Sequence, residues 1–344
     1  MAEGAESTAV VEEEPPVVPP ERASAWARIT GPLLRLRWAS ILIVALALGV
    51  YFTAANPNFG TRANLLVVAQ FTAVTAIIAA GEVMLMICGE IDLSVGNVFA
   101  LASFIMYFTW DAGLPLIVGV MVALMACAAV GLINGLVTVV LRVPSFVTTL
   151  GMLFLLNGFT LTISHGFPVQ VPDQGSLFNE VMGHGAYSQI LWAIGVVALV
   201  QVVLTYTRWG LHTFAVGGNS LGASEAGVNV SRIKIGNFVM ASTLAGLAGM
   251  LEAFRITSID PLAGGTYIMF DAIAGAVIGG TALSGGAGTI IGAFLGTIVL
   301  STLRDGFTLL GVSAFTFDII VGAAILVAMV LNVYLQRLRR SGAV

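Results

Sequence analysis

Long apolar runs separated by short polar joints recur from residue 38 to residue 334. A helix needs about 20 apolar residues, within a range of about 17–25, to cross a bilayer. Ten runs approach that length: 38–55, 65–88, 93–110, 114–140, 145–163, 190–206, 234–255, 268–283, 288–303 and 315–334. The second and third abut at Cys88-Gly-Glu-Ile-Asp-Leu-Ser-Val-Gly96, and the eighth and ninth at Ser284-Gly-Gly-Ala-Gly288. The pattern predicts an all-α polytopic membrane protein of about ten transmembrane helices, with broken helices near 89–96 and 284–288. Spans 2–5 and 7–10 then run with opposite topology, which suggests an inverted repeat of the kind found in transporters. In each half an acid-containing segment, Glu90-Ile-Asp-Leu-Ser-Val-Gly96 or Phe270-Asp-Ala-Ile-Ala-Gly275, leads into a Gly-rich helix.

Composition agrees. Hydrophobic residues are 58% of the chain and charged residues 9%, against about 25% charged in soluble domains. The net charge of −4 is set by Glu3, Glu6, Glu12, Glu13, Glu14 and Glu21, and the remainder is slightly basic, so no nucleic-acid partner is implied. Cys88 and Cys127 lie in apolar stretches and read as small buried hydrophobes. His165, His184 and His212 are isolated from one another, so no metal site is expected.

Residues 1–37 are acidic, then Pro-punctuated, then basic, which is not a signal-peptide pattern. They read as a disordered cytoplasmic tail before a transmembrane domain at 38–335 and a cytoplasmic C-terminal tail at 336–344. With the N-terminus inside, eleven of the 14 Lys and Arg residues fall on the inner side. Only Arg62, Arg255 and Arg304 fall outside or at outer helix ends. That bias favours both termini in the cytoplasm. It leaves an outer loop at 164–189 and an inner loop at 207–233. The outer loop, with Pro168, Asp173 and Glu180 among Phe167 and Phe178, reads equally as a dock for a soluble partner or as a surface lid.

Charged and strongly polar side chains at membrane depth are expensive and usually line a pathway or a buried joint. Glu82, Glu90, Asp92, Ser94, Asn97, Asn134, Asn157, Phe270 and Asp271 are therefore the candidate solute path. Asp92 and Asp271 have a competing structural reading as caps at helix N-termini, where a carboxylate contributes about 0.3–1 kcal/mol. Asn134 and Asn157 have one as bridges between helices.

The inner loop carries a second signal. Asn219 is a good N-cap after two glycines, and Gly227 suits the left-handed residue that ends a helix. A helix of about eight residues between them is too short to stand alone in water. It packs either on its own membrane domain or on a partner.

GEIDLSVG, the GGN…A…GVNV stretch at 217–230 and FDAIAGAVIGGTALSGGAGT resemble, in order and separation, signature stretches of bacterial ABC sugar permeases of the ribose/xylose/arabinose type. Pro144-Ser-Phe-Val-Thr-Thr-Leu-Gly-Met152 and Leu309-Leu-Gly-Val-Ser-Ala-Phe315 are similar to two further family blocks. The resemblance implies an inner-membrane permease that pairs as a homo- or heterodimer. It implies a separate ATP-binding cassette subunit that uses the ATP, and a solute-binding protein that delivers a monosaccharide or related polyol. It marks Gly217, Gly218, Asn219, Ala223, Gly227, Val228, Asn229 and Val230 as the segment that couples to the ATPase. Two departures stand out: Ser224 where the family often has Arg, and Glu90 where it often has Gly.

The chain has no P-loop, because its only lysine, Lys234, lacks the G-x-x-x-x-G-K-[ST] context. No enzyme activity and no cofactor of its own are expected. The competing class is an ion- or proton-coupled secondary transporter carrying its ion on Glu82, Glu90, Asp92 and Asp271. The identity of the sugar is not encoded in any of these residues.

Overall fold

The computed structural model describes residues 39–313, 316–320, 322, 323, 326 and 330. The tails at 1–37 and 336–344 and most of the expected tenth span lie outside the described residues. The rest is almost entirely helical: α1 (Ala39–Ala55), α2 (Arg62–Ile87), α3 (Val95–Asp111), α4 (Leu116–Val139), α5 (Ser145–Ser164), α6 (Ser188–Tyr206), α7 (Arg208–Gly218), α8 (Ser220–Glu225), α9 (Val230–Ile256), α10 (Gly265–Ile278) and α11 (Ile290–Leu309). Six of these, α2, α4, α5, α6, α9 and α11, are long and apolar enough to cross a membrane. Helices α1, α3 and α10 are shorter and coincide with the remaining described runs.

Helix α2 is the centre of the bundle. Every residue from Ala76 to Cys88 is buried, and a helix buried on all sides has no lipid-facing stripe. Helix α9 packs against α2, α3 and α4, and small residues let the backbones approach. A Cβ on Gly81 would lie 2.7 Å from Ala241 Cα, and one on Gly249 would lie 2.0 Å from the Phe99 carbonyl oxygen. Packing through small residues is the usual glue in lipid, which offers no hydrophobic drive between helices.

The two ends of α2 face different structures, about 39 Å apart at 1.5 Å per residue. At its start, Arg62 donates to the Tyr187 hydroxyl (2.6 Å) and Gln70 donates to the Ala186 carbonyl (3.0 Å). That end carries the loop 164–189, which is ordered by its own contacts. Strand β1 (Val169–Gln170) pairs antiparallel with β2 (Ser258–Ile259), Asn179 donates to the Pro172 carbonyl (3.0 Å), and Trp192 donates to the Val181 carbonyl (3.0 Å). The other end of α2 meets α7.

Three boundaries differ from the hydrophobic pattern. Residues 207–218, expected as loop, form α7 behind a Thr207 cap that accepts from Gly210 N. Its Gly210, Thr213 and Val216 are buried while Leu211 is exposed, so it is an amphipathic helix that gains its stability from packing. Helix α8 has six residues, not about eight. The second break runs from Gly279 to Thr289, not only 284–288, because Gly279 caps α10 and Gly280 (φ +86°) turns the chain away. Gly280 N donates to Val277 O (2.9 Å) and Thr281 N to Ala276 O (3.0 Å), the double bond of a Schellman end.

Candidate functional site

At the first break, Leu93 and Ser94 lead into α3 while Asp92 turns its carboxylate inward. Asp92 is fully buried. Its Oδ1 accepts from Ser94 N (2.9 Å) and Ser94 Oγ (2.6 Å), and its Oδ2 from Asn134 Nδ2 (3.2 Å) and Ser242 Oγ (3.2 Å). Asn134 Nδ2 also reaches Ser94 Oγ (2.9 Å). One carboxylate thus joins the break to α4 and α9, and a buried acid with this many donors keeps its place without a neighbouring cation. Glu82 is also fully buried; its Oε2 lies 3.5 Å from Asp92 N, and its Oε1 has no hydrogen-bond partner among the described residues. Asn97 donates to the Leu153 carbonyl (2.7 Å), fixing α3 to α5. Asn157 makes no hydrogen bond to a described residue.

Two candidate acids form ion pairs that the sequence reading did not include. Glu90 Oε1 accepts from Lys234 Nζ at 2.5 Å, with both side chains largely buried. Asp271 Oδ2 lies 3.0 Å from Arg304 Nη2. Phe270, next to Asp271, is turned outward and exposed. The candidates therefore separate into a buried node (Glu82, Asp92, Ser94, Asn134) and two outlying pairs. Ser242, Lys234 and Arg304 complete them. Each sits among other polar residues of its helix, near Thr243, Arg232 or Asp305, so no local pattern singled it out.

The segment 217–230 is built as its residues dictate. The Asn219 side chain accepts from Gly222 N (2.9 Å) and opens α8. Gly227, at φ +85°, closes it, and Val228 N donates to the Ala223 carbonyl (2.9 Å). Asn229 then caps α9 by accepting from Arg232 N (2.9 Å). Helix α8 is not free-standing: Ala223 packs in a small core with Cys88, Val216 and Ile233, while Leu221 is exposed.

The same segment touches both breaks. Gly217 lies so close to the end of α2 that a Cβ there would be 1.6 Å from the Ile87 carbonyl oxygen and 2.8 Å from Gly286 N. That Ile87 carbonyl accepts the Gly286 N–H at 2.8 Å. Asn237 fastens the joint from α9. Its Nδ2 donates to the Met84 carbonyl (3.2 Å) and to Thr213 Oγ1 (3.3 Å), and its Oδ1 accepts from Trp209 Nε1 (2.8 Å). A capped, largely exposed short helix is thus held by main-chain contacts against both interrupted spans.

A family model described as "Branched-chain amino acid transport system / permease component" matches residues 64–329, well over half of the chain. The chain belongs to this permease family. It is 37% identical to the xylose/arabinose import permease protein of Sulfolobus acidocaldarius, over 86% of this chain and 85% of that one. It is 36% identical to the ribose import permease protein of Escherichia coli strain K12, over 85% of this chain and 92% of that one. The galactose/methyl galactoside import permease protein of the same organism is 32% identical, over 87% and 95%. No solved structure matches the chain.

The permease assignment accounts for an otherwise odd pairing of features. This multi-pass membrane protein holds polar joints at the ends of its helices, yet its sequence carries no nucleotide-binding loop. In this permease family the ATPase is a separate subunit.

Proposed function

We propose that this permease carries a monosaccharide, or a polyol of similar size, inward through a pair of permease subunits. A solute-binding protein delivers the sugar on the face of the 164–189 loop. A separate ATP-binding cassette subunit receives α8 on the opposite face. The observation that carries this reading is the α8 handle, with Asn219 and Gly227 as its caps, fixed through Gly217 to both breaks. The import of ribose, xylose/arabinose and galactose named for its relatives supports a monosaccharide as cargo.

Both termini are cytoplasmic in this reading. It is supported by the eleven-to-three distribution of Lys and Arg. An impermeant thiol reagent applied to intact cells labels Ser176→Cys and spares Ser341→Cys if the orientation is right. The candidate path residues Glu90, Asp92 and Asp271 act here mainly as joints and walls. Recognition stays weak, because a tightly held sugar is released slowly.

A secondary carrier on Glu82, Glu90, Asp92 and Asp271 is the less favoured reading. Glu82 and Asp92 are sealed from solvent, and Glu90 and Asp271 each hold a basic partner. The deciding experiment is uptake of labelled ribose, xylose and galactose into proteoliposomes. The expected result is uptake only with ATP, the ATPase and the binding protein together. Uptake driven by a proton or sodium gradient with no ATPase would reverse the choice.

A further inference from the structure

Between α2, α10, α11 and residues 316–320 lies a cavity of about 250 Å³. Phe71 and Phe317 wall it, and Asp271, Ser301, Arg304 and Asp305 supply its polar groups. That volume is below the roughly 300–1,000 Å³ of pockets for drug-sized ligands, so it suits a small solute. We propose that this cavity is a monosaccharide subsite of the translocation path, with the Arg304–Asp271 pair as its polar clamp and the two rings as its walls. The proposal rests on the importer reading given above.

The chemistry of the lining is what selects the ligand class. Arg304 uses only Nη2 on Asp271, at 3.0 Å to Oδ2 and 3.3 Å to Oδ1. Its Nη1 and Nε hydrogens are left for other acceptors, since the guanidinium has five donors. Its plane is steadied by Phe317, whose centroid is 5.0 Å from Cζ. Asp305 holds Asn64 Nδ2 (2.6 Å) through Oδ2 alone, so Oδ1 is free to accept. Fixed donors and acceptors side by side match a ring of hydroxyls, each of which both gives and takes a hydrogen bond. The ring carbons of Phe71 and Phe317 beside them offer apolar contact to the C–H groups of a sugar ring. An isolated anion would meet two carboxylates here, and an isolated cation would meet Arg304.

The position is also right for a path. Arg304 is the one basic residue of α11, and beside the cavity its side chain stays 43% exposed. Asp271 and Arg304 lie on the two helices that flank the 279–289 break, so movement of that break reshapes the clamp.

The test uses proteoliposomes holding the permease, its ATPase and its binding protein, with labelled ribose, xylose and galactose. Wild type must carry at least one of them; if it carries none, the importer reading itself falls and takes the subsite with it. If wild type transports, Phe71→Leu and Arg304→Lys should slow uptake at least tenfold or reorder the three sugars. ATP hydrolysis stimulated by the loaded binding protein should stay within about twofold of wild type. A Ser301→Cys variant gives an independent reading: N-ethylmaleimide should block its uptake, and active transport should slow the alkylation. Unchanged rates and sugar order in both variants would overturn the subsite alone. So would full uptake by the alkylated Ser301→Cys protein, as expected of a cavity that only holds lipid.

Discussion

The carbonyl of Ile87, the last residue of α2, accepts the amide of Gly286 from the second break at 2.8 Å, and Gly217 of α7 closes over that bond. Three segments far apart in sequence meet with main chain against main chain. Such a contact has little slack, because no flexible side chain lies between the parts. In the proposed importer, a displacement of α8 by the ATPase would therefore reach both interrupted spans together.

Glu90 and Lys234 give a first prediction. Their ion pair ties the α2–α3 break to the second turn of α9, four residues after the 217–230 segment ends at Val230. Both side chains are more than three-quarters covered, and removing one partner leaves a poorly hydrated charge. Lys234→Met and Glu90→Gln should each lower uptake several-fold. The exchange Glu90→Lys with Lys234→Glu should recover most of it, read as initial uptake rate per permease in membranes.

A second prediction separates the two buried acids. Asp92 holds donors from Ser94, Asn134 and Ser242, so Asp92→Ala strands them, and each lost buried bond costs about 1–3 kcal/mol. Thermal unfolding in detergent should fall by many degrees for Asp92→Ala. Glu82→Gln keeps the shape, and Glu82 Oε1 has no partner to lose among the described residues. Its midpoint should move by only a few degrees. Equal losses in the two variants would mean that Asp92 is not the node.

Gly227 supplies a third. At φ +85° and with open space where a Cβ would be, the only obstacle to substitution is the backbone itself. A β-branched residue there costs on the order of 1–2 kcal/mol. Gly227→Val should therefore insert normally, co-purify less ATPase and lose uptake, whereas Gly227→Asn, which tolerates the left-handed region, should retain much more. Equal uptake by the two variants would show the turn to be a plain connector.

How far the sequence could be read depended on the range of the interactions involved. The caps of α8 were legible because Asn219 reaches only to Gly222, and Gly227 acts on its own turn. The nine described apolar helices were legible because burial in lipid imposes its own length. Helix α7 was not, since it depends on Trp209 lying against Gly236 and bonding Asn237, 28 residues on. Lys234 and Ser242 were missed as partners of Glu90 and Asp92 for the same reason. Those pairs, 144 and 150 residues apart, follow from how α9 sits against the break and not from any local pattern.

The joint at Gly217 tests the central claim most directly. Reconstituted with its ATPase and binding protein, Gly217→Ala should be measured for sugar carried per ATP hydrolysed. The added Cβ is forced against the Ile87 carbonyl, while no residue of α8 is changed. The account predicts that hydrolysis persists within about twofold and the transport ratio falls at least tenfold, with Gly218→Ala, where space is open, close to wild type. A wild-type transport ratio in Gly217→Ala would contradict it.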